Sequence, residues 1–277
     1  MDRRKFLALF GMGACGGVAG TSLARSNASP ETSSPTDAVV SNEQEDENPT
    51  SSGMQRIIWS VDTEQPIAAL TFDDGPDPEF TPHILDILNR HEAKATFMVM
   101  GYNAVRHSNL LRDIVAAGHE VGGHGWSHRN LSEATPEQAS REIEYGNRMI
   151  EERAGVPLRV FRPPYGRFSQ AAVRLLASSP LDLVVWSVTR GDLSWKEPRS
   201  IASHVVRSLS PGDIIDLHDG IGRGTFNRGK PFGERLRRRR ETEIQALPGI
   251  IEGARAKGLR LDTVSDLIAA WKPSDVG

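Results

Sequence analysis

From residue 66 onward, short apolar runs alternate with segments of helical pattern, and this alternation limits the fold more than any other feature. The runs are 66–72, 95–100 (ATFMVM), 119–122, 158–161, 182–188 (DLVVWSV), 213–217 (DIIDL) and 259–262. Each is short and bounded by turn residues, so they read as buried strands. Between them, Thr81-Pro82 opens a helix that ends near His91, and a second helix runs from about Asn109 to Ala117 before Gly118. A long third helix follows the cap Thr135-Pro136-Glu137-Gln138 and stops before Gly155. Such alternation predicts a parallel sheet with helices on its faces, a barrel-like α/β fold whose functional residues gather at the carboxyl ends of strands.

The chain ends have another character. Residues 1–24 combine a basic head, a glycine-softened apolar stretch and the small-residue ending Ser22-Leu23-Ala24, the pattern of an export signal. Asp2-Arg3-Arg4-Lys5-Phe6-Leu7 fits the twin-arginine type, in which paired arginines precede an apolar pair. An uncut anchor and a lipidated Cys15 are the alternatives; the apolar stretch is shorter than the ~20 residues a span needs. Cys15 is the only cysteine, so cleavage at Ala24 leaves neither disulfide nor thiolate metal site. Residues 25–53, rich in Ser, Thr, Pro and acids, read as a disordered linker. The expected destination is the periplasm, the cell envelope or the outside, with no stable membrane span after signal cleavage. Of the net charge of −3, residues 54–277 carry none, which argues against a nucleic-acid partner. The basic cluster Arg235 and Arg237 to Arg240 reads as a solvated helix start, in a glycine-rich stretch (220–240) expected to border a cleft.

The predicted strands end in polar residues: Asp73-Asp74, His124 to His128, Arg162-Pro163-Pro164-Tyr165, Asp192, and His218-Asp219. Two histidines four apart, with a carboxylate from a neighbouring strand, make a two-His, one-carboxylate triad that leaves positions open for water. Adjacent aspartates are tolerable if a metal neutralises one and a cation the other. A metal there acidifies a water, and the free carboxylate takes its proton. His218, from another strand, is the natural acid for a leaving nitrogen, with Asp192 on its other ring nitrogen. Arg162 pins the free carboxylate, and the backbone N–H beside Tyr165 stabilises an oxyanion. His83, His91 and His107 read as surface or packing residues. Trp126, Trp186 and Trp195 are candidates for stacking on a substrate in the cleft, Trp186 equally for the core.

Together, Thr71 to Pro76 (TFDDGP), His124 to His128 (HGWSH), Arg162 to Gly166 (RPPYG) and Leu217 to Asp219 (LHD) resemble the polysaccharide deacetylases of the NodB-homology type, carbohydrate esterase family 4. The likeness spans roughly residues 66–268 and defines a domain at 54–277. It implies a distorted (β/α) barrel with about seven parallel strands; separately, the protein is expected to be a monomer. It further implies one divalent metal ion, zinc first and cobalt second, and hydrolysis of N-acetyl groups on an amino-sugar polysaccharide, peptidoglycan or chitin-like oligomers. On the same motifs Asp73 is the base, Asp74, His124 and His128 are the metal ligands, Arg162 tethers Asp73, Tyr165 serves the oxyanion and His218 is the acid. Pro163, Pro164, Tyr165, Leu193, Asp216 and Leu217 would face substrate.

The chain departs from the family pattern at Gly125, usually Ser or Thr, at Thr189 and Leu193, usually Asp and Trp, and at Asp216, usually Leu. Strand alternation puts Asp216 on the face of His218. A buried carboxylate beside an acetyl methyl is unfavourable unless paired or protonated. Asp216 therefore meets a cation, meets a polar substrate group or turns away. A deacylase for a different acyl amide or ester on a carbohydrate, and a catalytically inactive glycan-binding relative, are the alternative functions. Retention of all three ligands, the base and the acid speaks against the second.

Overall fold

The computed structural model describes residues 8–10, 55–191 and 197–272. Its strands are β1 (Ala8–Phe10), β2 (Gln55–Ile58), β3 (Ile67–Asp73), β4 (Thr96–Val99), β5 (Glu120–Gly123), β6 (Val160–Phe161), β7 (Asp182–Val184), β8 (Val188–Thr189), β9 (Ile214–His218) and β10 (Arg260–Asp262). They form one sheet in the order β1-β2-β7-β6-β5-β4-β3-β9-β8. All pairings are parallel except β1 on β2. β10 runs beside the first half of β3, and β4 takes over beside its second half. The sheet curls into a half-barrel. Val61 donates to the Gly212 carbonyl at 2.8 Å, bringing the chain after β2 close to β9.

All seven expected strands are present, the run 182–188 being broken into β7 and β8 where the chain passes from β2 and β6 to β9. β1 and β2 are additions that sequence reading did not foresee. The helices are α1 (Thr81–Arg90), α2 (Gly101–Arg106), α3 (Ser108–Ala116), α4 (Pro136–Ser140), α5 (Gly146–Ala154), α6 (Gln170–Ala177), α7 (Pro198–Ser208), α8 (Pro231–Ala256) and α9 (Val264–Ala269). A π-helical turn over Arg141–Tyr145 joins α4 to α5, so the long third helix is continuous but underwound at its middle. Its start is the expected one: Thr135 and Gln138 exchange side-chain and backbone hydrogen bonds in a capping box. Gly155 ends it at φ 74°. Among the described residues no helix is long and apolar enough to cross a membrane.

Alternation along the strands sorts side chains into two layers. On β3, Ala68, Leu70 and Phe72 face the helices, as do Phe97 of β4, Phe161 of β6, and Ile215 and Leu217 of β9. Against them pack Ile84, Leu111, Ile150, Val205, Leu247 and Ile250 from the helical layer. Ile67 and Ala69 of β3, Met98, Val160, Val184 and Ile214 point inward, and Val264 and Leu267 of α9 close that inner cluster. The inner cluster fills only the amino ends of the strands. Continuing inward along β3 and β9, the period of two delivers Thr71 and Asp73, and Asp216 and His218, to the carboxyl end. The barrel is therefore apolar below and ionisable above.

The backbone holds the junction of β3 with the following loop tightly. Asp74 has φ 81°, and a Cβ added to Gly220 would lie 2.3 Å from its carbonyl oxygen. Gly220→Ala must push this backbone apart and is expected to destabilise the fold by roughly 1–3 kcal/mol, read as a lower urea midpoint with an unchanged slope.

Candidate active site

Asp73 ends β3 and Asp74 leaves it, so the two adjacent carboxylates point in different directions. Asp73 is 3% exposed and accepts a 2.6 Å hydrogen bond from Arg162 Nη1. Arg162, fully buried after β6, also donates to Thr71 Oγ1 at 2.7 Å and, through Nη2, to the Val185 carbonyl at 2.8 Å. Its guanidinium lies over the Trp186 ring, 5.7 Å from the centroid.

Asp74 turns to the histidines. Its Oδ1 lies 3.6 Å from His124 Nε2 and 3.1 Å from His128 Nε2. Its Oδ2 meets Arg240 Nη2 at 3.2 Å. Burial alone would raise the Asp74 carboxyl, but the nearby imidazoles of His128, His124 and His218 outweigh it and hold the group well below the usual range. His124 follows β5, and its Nδ1 lies 2.8 Å from the Arg162 carbonyl, which fixes that nitrogen as the N–H and turns the Nε2 lone pair to Asp74. The loop between the histidines is braced by Glu142 from the π-helical turn. This carboxylate accepts from the Ser127 N–H at 2.8 Å and from Ser127 Oγ at 2.5 Å. Gly125, where the family pattern has a hydroxyl residue, is at φ 77°, and an added Cβ would sit 3.0 Å from that same carboxylate.

The residues fit a divalent metal. Asp74, His124 and His128 are all buried, with ligand atoms within 4.8 Å of one another. Asp74 Oδ1 is buried and receives no hydrogen bond. Two neutral imidazole nitrogens and one carboxylate oxygen aimed at a common point are the donor set of a catalytic zinc site.

His218 ends β9 in register with Asp73. Sequence reading assigned its other ring nitrogen to Asp192, which lies outside the described residues, as do Leu193 and Trp195. Among the described residues, His218 Nδ1 is met by Glu243 Oε2 at 3.2 Å and by Arg190 Nη1 at 3.1 Å. Glu243 is buried on α8, where Arg190 also pairs with it and Arg240 reaches its Oε1 at 2.7 Å. Neither Glu243 nor Arg190 was named from the sequence. The basic run read as solvated is solvated only in part, because Arg240 turns inward and is 3% exposed.

A cleft of about 870 Å3 opens over this group, and Tyr165, Trp186, Arg190, Asp216 and His218 are among the residues that line it. Pro163 and Pro164 are buried and shape the turn that places Tyr165 at φ 63°, with Gly166 donating to the Pro163 carbonyl at 2.9 Å. The Tyr165 ring meets His128 edge-on at 4.5 Å. Leu217, expected to face substrate, packs under the helices, because alternation turns it away from Asp216 and His218. Trp126 packs against Tyr102 and Tyr145.

Burial would raise Glu243, yet Arg240, His218 and Arg190 bring it down to about 2. A carboxylate lowered on folding adds stability that is complete above its ordinary 4.5 and fades as pH falls through 2. Glu243→Gln should therefore start less stable at neutral pH and lose less over that window in acid unfolding. It should also lower kcat/KM by about tenfold, since the carboxylate that holds the His218 ring in place is gone.

The polysaccharide deacetylase family model matches residues 60–184. A peptidoglycan-N-acetylglucosamine deacetylase of Bacillus cereus is 33% identical over 214 residues, covering 76% of this chain and 92% of that protein. A chitooligosaccharide deacetylase of Sinorhizobium fredii is 41% identical over 168 residues, 60% of this chain and 77% of its own length. Among solved structures, a peptidoglycan N-acetylglucosamine deacetylase bound to 4-naphthalen-1-yl-N-hydroxybenzamide superposes with a TM-score of 0.68 at 29% identity, over 79% of this chain and 95% of that one. Sequence, fold and site agree: the chain belongs to the polysaccharide deacetylase family, the hydrolases of carbohydrate esterase family 4.

Proposed function

We propose that this protein is a metal-dependent N-deacylase of amino sugars in a polysaccharide of the peptidoglycan or chitin type. The observation that carries the reading is the meeting of Asp73 and His218, in register on adjacent strands, beside the buried Asp74, His124 and His128. Zinc is the first choice for two imidazoles and one carboxylate, with cobalt next. A cation held there supplies Lewis-acid chemistry, acidifying water and polarising the acyl oxygen.

The chain's own groups divide the remaining work. Asp73 is the base: its Oδ1 is held by Arg162, and its Oδ2, 3.6 Å from His124 Nε2, faces the triad and accepts the proton of the attacking water. The turn at Tyr165 brings a backbone N–H to the developing oxyanion. His218, with Nδ1 held by Glu243, gives the leaving nitrogen its proton from Nε2. The named activities of the relatives from Bacillus cereus and Sinorhizobium fredii support the substrate class. Residues 1–24 would direct the chain through the twin-arginine route to the envelope, where such polymers lie.

The test is acid release by the full chain from chitin oligomers and peptidoglycan, with acetylated xylan as the ester control. Stripping the metal should abolish release, and zinc or cobalt should restore it. Asp73→Asn should keep the metal and lower kcat by about 10²–10⁴. Release that survives both treatments would refute the assignment.

A further inference from the structure

Asp216 has no part in the chemistry described so far. It lies one layer deeper than the reacting groups: Asp73 is in register with His218, and Thr71 with Asp216. The residue is 7% exposed and lines the cleft, and its Oδ1 is buried without a hydrogen-bond partner. The nearest cationic atom, Arg162 Nη1 at 3.6 Å, directs its two hydrogens to Thr71 and Asp73. Burial raises the carboxyl above its ordinary range, the charge of His218 opposing and that of Asp73 assisting. An acceptor of this kind at the bottom of a substrate cleft calls for a donor that the protein itself does not provide.

Which part of a substrate reaches this depth follows from the layering. The attacked carbonyl carbon has to sit at the level of Asp73, His218 and the triad. The glycan is a chain and stays at the mouth of the cleft, on the far side of that carbon. In an amide R–CO–NH–sugar, only R extends down toward Asp216, Thr71 and Trp186.

Resting on the deacylase reading above, we propose that the acyl group removed carries a hydroxyl on its tail, a hydroxyacyl group such as glycolyl, and that Asp216 selects it over acetyl. A hydroxyl donates to a carboxylate and accepts from a protonated carboxyl, so it matches either state of Asp216. An acetyl methyl at the same place leaves the buried oxygen unpartnered. Hydrolysis is otherwise unchanged: water oxygen bonds to the acyl carbon, the C–N bond breaks, and the nitrogen leaves with a proton from His218. The products are the hydroxyacid and the free amino sugar.

The test compares kcat/KM for N-glycolyl and N-acetyl chitooligosaccharides of equal length, using the full zinc- or cobalt-loaded chain. The wild type should favour glycolyl by about tenfold or more, the discrimination a site gains by hydrogen-bonding a substrate hydroxyl. Asp216→Leu should reverse the preference, and Asp216→Asn should keep it. A wild type that favours acetyl, or a ratio unchanged in Asp216→Leu, overturns the proposal while leaving the deacylase reading intact. If neither acyl group is released, that reading fails instead, and calorimetric binding of the two oligomers to Asp73→Asn decides the pocket. Tighter glycolyl binding that disappears in Asp73→Asn with Asp216→Leu upholds the role of Asp216; equal binding ends it.

Discussion

The site depends on one buried guanidinium. Arg162 follows β6 and reaches Thr71 and Asp73 on β3 and the Val185 carbonyl after β7, so one side chain ties three strand ends to a common point. Its backbone carbonyl takes His124 Nδ1 at the same time. A fully buried cation is tolerable only when paired and hydrogen-bonded, and these contacts meet that condition at both terminal nitrogens, leaving Nε without a partner. In return the arginine keeps Asp73 aimed, and sets the tautomer of a neighbouring imidazole. Without such a cation two consecutive carboxylates at a strand end would repel; with it they diverge to separate partners.

Backbone geometry serves the same end. Of the described non-glycine residues, four have positive φ, and three of these are Asp74, His128 and Tyr165. Left-handed backbone is unfavourable for such side chains and persists where the surroundings over-determine it. Here Gly220 and Gly222 pack against Asp74 where any side chain would collide, Glu142 braces the loop before His128, and Pro163-Pro164 lead into Tyr165.

The strands were legible in the sequence because buried parallel strands read as continuous apolar runs, and the candidate site residues because they stand where those runs stop. The residues around His218 were harder. Arg190 stands in a motif that departs from the family pattern, and Glu243 lies in α8, far along the chain from any strand end. In a run of four arginines nothing local says which one turns inward; only the docking of α8 on the barrel directs Arg240 to Asp74 and, three residues later, Glu243 to His218. Leu217 was placed by its neighbours in a motif, and alternation then set it on the other face.

The contact between Arg240 and Asp74 has one more consequence. The helix supplies a fixed positive charge to one oxygen of the carboxylate and leaves the other oxygen to the histidines. One carboxylate thus answers two kinds of partner at once, and through it α8 is tied to the loop that follows β5.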